Sequence, residues 1–351
     1  MDSRYDVIGY RAGEFVLKIC PMNKSYHICV TSHHNEVLFR SRDDYYRGFN
    51  CYAIALLKNG SVSLSDSLMS NHAHFVFYSS NYKEVVKCFR LAYSMYFNRK
   101  YRRSGQLFDP KFYVLEVQGL RHHLAALSYV MRNCVHHGLC STPYAYEHSS
   151  SNVFFRDELG KSHSQSLLPR NKFKKYIGKD FNLPDGYRMS EGGLLLREDF
   201  TDVAVVERMF STARSFNFYM LRKSSEEWLK EQSEDNNRLD AITLHDIEHG
   251  FIGTKLCNCK KDGGKNLEEQ EVDKMLVNEW GKANCFRISD MELCGIIDQL
   301  CITEFKKHSV YELSYGEKCE IAKYVRGKYY PSLSQLKRCL VLNNVLNTYI
   351  K

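Results

Sequence analysis

The feature that most constrains the fold is an alternation of strand-like and helix-like segments within the first 140 or so residues. Segments with the composition or alternation typical of strands lie at residues 25–31, 61–69, 72–78 and 112–117. Segments whose apolar residues have helical spacing lie at residues 41–58, 82–101 and 120–137, and Gly138 is placed to close the last of them. The order βαββαβ predicts a ferredoxin-like α+β domain with helices on one face of an antiparallel sheet. Because that fold serves many functions, it does not identify one.

The rest of the chain has a different character. Residues 141–193 are rich in loops, and helical patterns follow, among them segments at 289–306, 314–326 and 332–348. We therefore predict an α+β domain over 1–155, a basic loop-rich linker over 156–193 and a helical domain over 194–351. The helices near 314–348, joined by a turn with Gly327 and Pro331, are compatible with a helix-turn-helix that binds duplex DNA. The alternative is a helical bundle that docks on the first domain or mediates assembly.

Composition restricts the class of protein. No stretch approaches 18 consecutive apolar residues, and the first residues are charged, so we expect neither a membrane span nor a secretory signal. The 13 cysteines are an odd number in a long chain, which predicts reduced thiols and a cytoplasmic location. The net charge of +8 permits a polyanionic partner without requiring one.

Two histidines in the third predicted strand form the sharpest local pattern. Successive side chains of a strand point to opposite faces, so His72 and His74 share a face while Ala73 and Phe75 point the other way. Two imidazoles side by side on an open face suit a divalent metal ion. The alternative is a pair of ordinary surface histidines.

The third predicted helix supplies a tyrosine and an amide at matching positions. Tyr129 and Asn133 are four residues apart and therefore share a helix face. Free tyrosine is a poor nucleophile at neutral pH because its pKa is near 10, and a metal ion that binds the scissile phosphate can supply the missing activation. A tyrosine close to a bound metal ion is therefore what cleavage of a phosphodiester by a phenolate requires. The alternative for Tyr129 alone is a half-buried helix aromatic.

An ordered series of motifs over residues 20 to 155 is more specific than any one of them. The series comprises Tyr26-His27, Val37-Leu38-Phe39, Leu68-Met69-Ser70-Asn71-His72-Ala73-His74, Tyr96-Phe97-Asn98-Arg99, Gly105-Gln106-Leu107-Phe108, Tyr129-Val130-Met131-Arg132-Asn133, Gly138-Leu139 and the segment from Pro143 to Ser150. In this order the sequence resembles the REP-associated tyrosine transposases, a branch of the HUH single-tyrosine transposases.

The resemblance implies roles for individual residues. His72 and His74 match the metal-binding histidine pair, Asn133 matches the residue that completes the metal site, and Tyr129 matches the nucleophile. It implies a transposase-like endonuclease and strand transferase that uses Mg²⁺ or Mn²⁺ and no nucleotide cofactor. Its partner would be single-stranded DNA cleaved near hairpins, through a 5′-phosphotyrosine link and a free 3′-hydroxyl. Two departures from the family pattern are Cys134, where proline is usual, and Lys111, where arginine is usual.

Basic residues are concentrated where such a DNA partner could bind. From Lys83 to Lys111 there are eight basic and two acidic residues, interleaved with aromatics, which suits single-stranded nucleic acid. A solvated helix end is the alternative. The candidate DNA-binding residues there and in the linker are Arg99, Lys100, Arg102, Arg103, Lys111, Lys172, Lys174 and Lys175.

A second candidate metal site lies in the C-terminal half. His245 and His249 are four residues apart, and Cys257 and Cys259 follow closely, so the four could bind structural zinc. The Cys-x-Cys spacing is tighter than usual, and surface histidines with loop thiols are the alternative.

Two other functions fit parts of the pattern. A domesticated hairpin-DNA-binding protein, acting as a repressor or structural factor, would keep the scaffold without cleavage, but it has no need of His72, His74, Tyr129 and Asn133 together. An RNA-binding module on the same topology would carry aromatic pairs on its central strands instead of histidines.

Overall fold

The structure is a computed structural model, and it describes residues 24–161, 166–178, 181–221, 288–329 and 331–342. Its centre is a four-stranded antiparallel sheet built from β1 (Lys24–Thr31), β2 (Val62–Leu68), β3 (His72–Ser79) and β4 (Tyr113–Val117). The spatial order of the strands is β2-β3-β1-β4. The predicted α+β class with an antiparallel sheet is confirmed.

Two long helices cover one face of the sheet. The helix α1 (Arg42–Lys58) follows β1, and α2 (Tyr82–Tyr101) follows β3. Alternate strand residues such as Ile28 and Phe75 pack against apolar residues of both helices, including Phe49 and Phe89. The helices form where the sequence predicts them because their apolar residues recur at three- and four-residue spacing and face this core.

The second face of the sheet is covered as well, although the sequence predicts helices on one face only. The helix α3 (Gly119–Met131) crosses β2 and β3, and two further helices, α6 (Val203–Phe210) and α7 (Ala213–Leu221), pack with it. Leu64 and Val76 point to this face and are buried against Leu127 and Val130 of α3. Covering these apolar strand residues removes them from water, which explains why the face is not left open.

The helix predicted over 120–137 is interrupted. Arg132 has φ −90° and ψ 2°, so α3 ends at Met131 and a short helix, α4 (Asn133–His136), follows. Gly138 then reverses the chain with a φ of +67°, a conformation that glycine adopts without strain.

Residues of the predicted linker contribute to the first core. Residues 166–200 contain one short helix, α5 (Lys174–Ile177), and irregular chain. Phe173, Leu183 and Met189 are buried among the residues of α1 and α2. The amide of Asn50 holds this segment by donating to the carbonyl of Gly193 at 2.8 Å.

The C-terminal part that the structure describes is helical, as predicted. It consists of α8 (Asp290–Thr303), α9 (Tyr315–Tyr329) and α10 (Leu333–Cys339), which share a separate apolar core. This group, which we call the C-terminal unit, packs on the sheet domain through ion pairs and hydrogen bonds described below. None of the described helices is both long enough and apolar enough to cross a membrane.

Candidate active site

Three histidines meet on the face of the sheet that α3 covers. His74 pairs with Cys29 and His72 pairs with Thr31 in the register of β3 with β1, so the two histidines share a face as predicted. The same register places His27 of β1 on that face, where its Nε2 lies 3.1 Å from Nδ1 of His74. One ring therefore donates to the other, and the pair is buried.

Tyr129 of α3 lies over these rings. Its ring centroid is 5.5 Å from that of His74 and 5.8 Å from that of His27, both in edge-on geometry. The helix is held down by buried Leu127 and Val130, whereas 42% of the Tyr129 side chain remains exposed. The phenol is thus accessible from solvent but held in position by a packed helix.

Asn133, the first residue of α4, approaches His72 just beyond the end of α3. Its Oδ1 lies 3.2 Å from Nε2 of His72, and its Nδ2 has no hydrogen-bond partner among the described residues although it is buried. The other ring nitrogen of His72, Nδ1, lies 2.8 Å from Oδ1 of Asn71, and the Asn71 amide nitrogen donates to Asn35. Which ring nitrogen of His72 carries the proton depends on its tautomer, so His72 is able to donate at either of these two contacts.

His72 and Asn133 bring two candidate ligand atoms close together. Nε2 of His72 and Oδ1 of Asn133 are 3.2 Å apart, and with the ring proton on Nδ1 both atoms have a lone pair to offer a cation. A cation bound by both atoms would replace the direct contact between them. Adjacent ligands of an octahedral ion with bonds of about 2.1 Å are about 3 Å apart, which agrees with this separation.

The histidines are suited to bind a cation because they are neutral. Burial lowers the pKa of His72 to about 4, with His137 adding a smaller effect, and burial also lowers the pKa of His27 to about 4. For His74, burial together with its histidine neighbours lowers the pKa well below its ordinary value. At neutral pH these imidazoles therefore offer lone pairs without positive charge.

The donor set contains no carboxylate. In the described part of the chain, no group of three or more His, Cys, Asp or Glu side chains is arranged to hold a metal ion. The candidate ligands are two imidazoles and one amide oxygen, a mixed nitrogen and oxygen set that fits a divalent transition-metal ion such as Mn²⁺ and leaves room for water and phosphate oxygens.

The candidate DNA-binding residues do not lie together at this site. The end of α2 packs on the opposite face of the sheet, where Lys100 contacts buried Asp44 at 2.7 Å and Arg103 contacts buried Glu36 at 3.1 Å. Arg102 forms an ion pair with Glu312 at 3.2 Å. The side chain of Arg102 is nevertheless exposed, as are those of Arg99, Lys111, Lys172, Lys174 and Lys175. The sequence alone did not show which basic side chains are exposed to solvent and which pair with acidic residues to stabilise the fold.

Two further predictions concern the C-terminal half of the chain, a zinc site and a helix-turn-helix. The candidate zinc ligands His245, His249, Cys257 and Cys259 lie outside the described residues. In the predicted helix-turn-helix, Gln335 is buried with its amide donating to the carbonyl of Ile288, so this part of α10 faces the protein.

Sequence reasoning assigned no role to His27 or Tyr113. Tyr113 pairs with Cys29 in the register of β4, its ring lies 5.7 Å from that of His27, and 52% of it is exposed. The alternation within β1 places His27 and Cys29 on one face, but only the pairing of three strands shows that this face is the one with His72 and His74.

Comparisons with known proteins give little further information. No family model matches the chain, and no curated protein matches it. Among solved structures, a REP-associated tyrosine transposase bound to a REP hairpin matches with a TM-score of 0.33 and 10% sequence identity, covering 44% of this chain and 86% of that chain. A likeness this low carries no argument about family or function.

Proposed function

We propose that this protein is a metal-dependent transesterase that cuts and rejoins single-stranded DNA near hairpins, with Tyr129 as nucleophile. The observation that carries the proposal is the convergence of an exposed phenol, neutral histidines and a buried amide oxygen that lies 3.2 Å from Nε2 of His72. The choice of hairpin DNA as substrate rests on the sequence resemblance. The connectivity and strand order of the sheet also fit the proposed ferredoxin-like class.

The residues divide the chemistry between them. His72, His74 and Asn133 would hold a divalent ion, which when bound would polarise the scissile phosphate. Tyr129 would supply the attacking oxygen: its O–P bond forms, the P–O3′ bond breaks, and the 3′-oxygen leaves as a hydroxyl. One phosphodiester replaces another, so no nucleotide cofactor is needed. His27 supports His74 through the 3.1 Å hydrogen bond and thereby fixes the orientation of that ring.

The edge of the sheet offers an approach for the DNA. Tyr113 and Leu115 of β4 point to the face that carries the histidines and are partly exposed. Exposed Lys111 lies two residues before Tyr113. An aromatic ring beside the site, with a cation nearby, suits an unpaired base and its phosphate.

The experiment is a test for a covalent adduct. The protein is incubated with a hairpin-bearing single strand and Mn²⁺ or Mg²⁺, and products are separated in SDS. A 3′-labelled strand should migrate with the protein, whereas a 5′-labelled strand should not, because the tyrosine takes the 5′-phosphate. Chelation of the metal ion and Tyr129→Phe should each abolish the adduct, while Tyr324→Phe, at an exposed position on α9, should retain it. An adduct that survives in Tyr129→Phe would refute the assignment.

The non-cleaving hairpin-binding protein is the second candidate. Among the described residues the candidate ligands include no carboxylate, which favours this second candidate over cleavage with Mg²⁺, since carboxylates are the usual protein ligands of Mg²⁺. Tight hairpin binding with no adduct in any divalent metal would support this alternative. Duplex DNA as a partner of the C-terminal unit and a cytoplasmic location stay predictions.

A further inference from the structure

The turn between β2 and β3 delivers His72 to the site, and the chain holds this turn from several sides. The carbonyl of Ser70 accepts hydrogen bonds from the backbone N–H of Leu38 at 2.7 Å and of Phe39 at 3.1 Å. The carbonyl of Asn71 accepts from the N–H of Ser32 at 3.0 Å. The position of His72 therefore depends on how firmly residues 70 and 71 are restrained.

The side chain of Ser70 is bound by a residue of the C-terminal unit. Its Oγ donates to Oδ2 of Asp290, the first residue of α8, at 2.7 Å. The same carboxylate accepts from Nε of Arg338 at 2.5 Å and from Nη2 at 2.8 Å. Asp290 is buried and occupied on both oxygens, so its carboxylate is held rigidly between α10 and the turn.

The start of α8 is itself fixed. Ser289 and Glu292 form a capping box, in which each side chain bonds the backbone N–H of the other residue. Asp290 thus sits on a helix end that cannot fray without loss of these bonds. This makes the contact with Ser70 a contact between two ordered elements.

A second anchor joins the same two parts of the molecule. Arg40 is fully buried; its Nη2 donates to Asp298 of α8 at 2.7 Å and its Nη1 donates to the carbonyl of Cys339 at 2.9 Å. Arg40 directly follows Phe39, whose N–H binds the carbonyl of Ser70. The C-terminal unit therefore holds both the turn and the segment that is hydrogen-bonded to it.

We infer that the C-terminal unit sets the position of His72, with Asp290 as a positioning residue that acts through Ser70. The inference rests on the proposed function in so far as His72 is taken as a metal ligand. The C-terminal unit would thus influence the candidate metal site indirectly. Among the described residues, its hydrogen bond to the turn is made to Ser70 and not to a histidine.

The test compares two serine-to-alanine variants of the full chain. Ser70→Ala removes the bond to Asp290 and leaves the Asp290–Arg338 pair intact. Ser332→Ala removes the N-cap of α10, which costs comparable local stability in the C-terminal unit without touching the turn. Hydrogen exchange of the amides of residues 38, 39 and 72 reports the turn, and electron paramagnetic resonance of free Mn²⁺ reports metal affinity.

We expect Ser70→Ala to speed exchange at these amides about three- to tenfold and to weaken Mn²⁺ binding about tenfold, as loss of outer-shell support does elsewhere. We expect Ser332→Ala to change neither, even if both variants unfold at a lower temperature. Unchanged exchange in Ser70→Ala, or faster exchange with unchanged Mn²⁺ affinity, would overturn the inference. If the parent protein binds no Mn²⁺ and forms no adduct, the proposed function fails, while the exchange comparison still decides whether Asp290 restrains the turn.

Discussion

His148 makes the stability of this protein sensitive to acid. The side chain is buried, and its ring stacks on Tyr45 with centroids 3.7 Å apart and planes 7° apart. Burial, together with the positive charges of Arg197 and Arg42, lowers the pKa of His148 to about 3. The folded protein therefore holds this imidazole neutral, whereas the unfolded chain protonates it near pH 6.5.

The sign and size of the effect follow from linkage. Because the unfolded chain binds the proton more readily, the contribution of His148 is complete above pH 6.5 and is lost as the pH falls from 6.5 towards 3. Between pH 7 and pH 5 the total population of unfolded chains grows about 25-fold relative to the folded protein. This corresponds to a loss of about 2 kcal/mol in the free energy of unfolding.

The perturbation is His148→Phe, which keeps an aromatic ring on Tyr45 but removes the titrating group. Urea unfolding at pH 7 and pH 5 measures the free energy of unfolding of parent and variant. We expect the variant to lose about 2 kcal/mol less than the parent over this interval, because the other titrating groups cancel in the comparison. His34→Phe, at an exposed position, is the matched control. An unchanged pH dependence in His148→Phe would refute the reasoning.

Three further predictions test the candidate DNA surface and the packing. Tyr113→Ala should weaken binding of a single-stranded oligonucleotide by about tenfold in fluorescence anisotropy, since base stacking contributes about 1–3 kcal/mol; equal losses in Tyr324→Ala, an exposed ring on α9, would contradict this. Arg197→Met should lower the free energy of unfolding by about 3 kcal/mol in urea, because it leaves the buried carboxylate of Asp66, 3.0 Å away, without its partner; a loss below about 1 kcal/mol would be inconsistent with that. Gly193→Ala should cost about 2 kcal/mol or more by the same assay, because φ is +85° and an added Cβ would overlap a tyrosine ring; a neutral result would show that the ring can move aside.

Much of the sheet domain could be predicted because its signals are local. The third strand is predicted at 72–78 and observed at His72–Ser79, and the second helix is predicted at 82–101 and observed at Tyr82–Tyr101. Each pattern repeats within a few residues, so no knowledge of distant partners is needed. The common face of His72 and His74 follows from the same alternation.

What depends on distant partners could not be predicted. His27 contacts His74 only because β1 and β3 pair, and the two residues are 47 positions apart in the sequence. Arg103 and Glu36, which form an ion pair, are 67 positions apart. The burial of Phe173 in the first core was hidden for another reason: its segment is irregular and has no periodicity to reveal which side chains face inward. The break at Arg132 likewise interrupts a segment whose apolar spacing continues across it.

The packing of residues 166–200 affects which part of this chain can be transferred by recombination as a folded unit. Six of their side chains, Phe173, Ile177, Leu183, Met189, Leu195 and Phe200, are buried in the core under α1 and α2. Burial of a side chain of this size stabilises a protein by about 1.5–3 kcal/mol, so together they rival the net stability of a whole domain, about 5–15 kcal/mol. A gene fragment that stopped at residue 155 would encode a sheet with its core open to water. Recombination at that point would expose these apolar contacts, so we expect the sheet domain to pass to a new protein together with the chain that follows it.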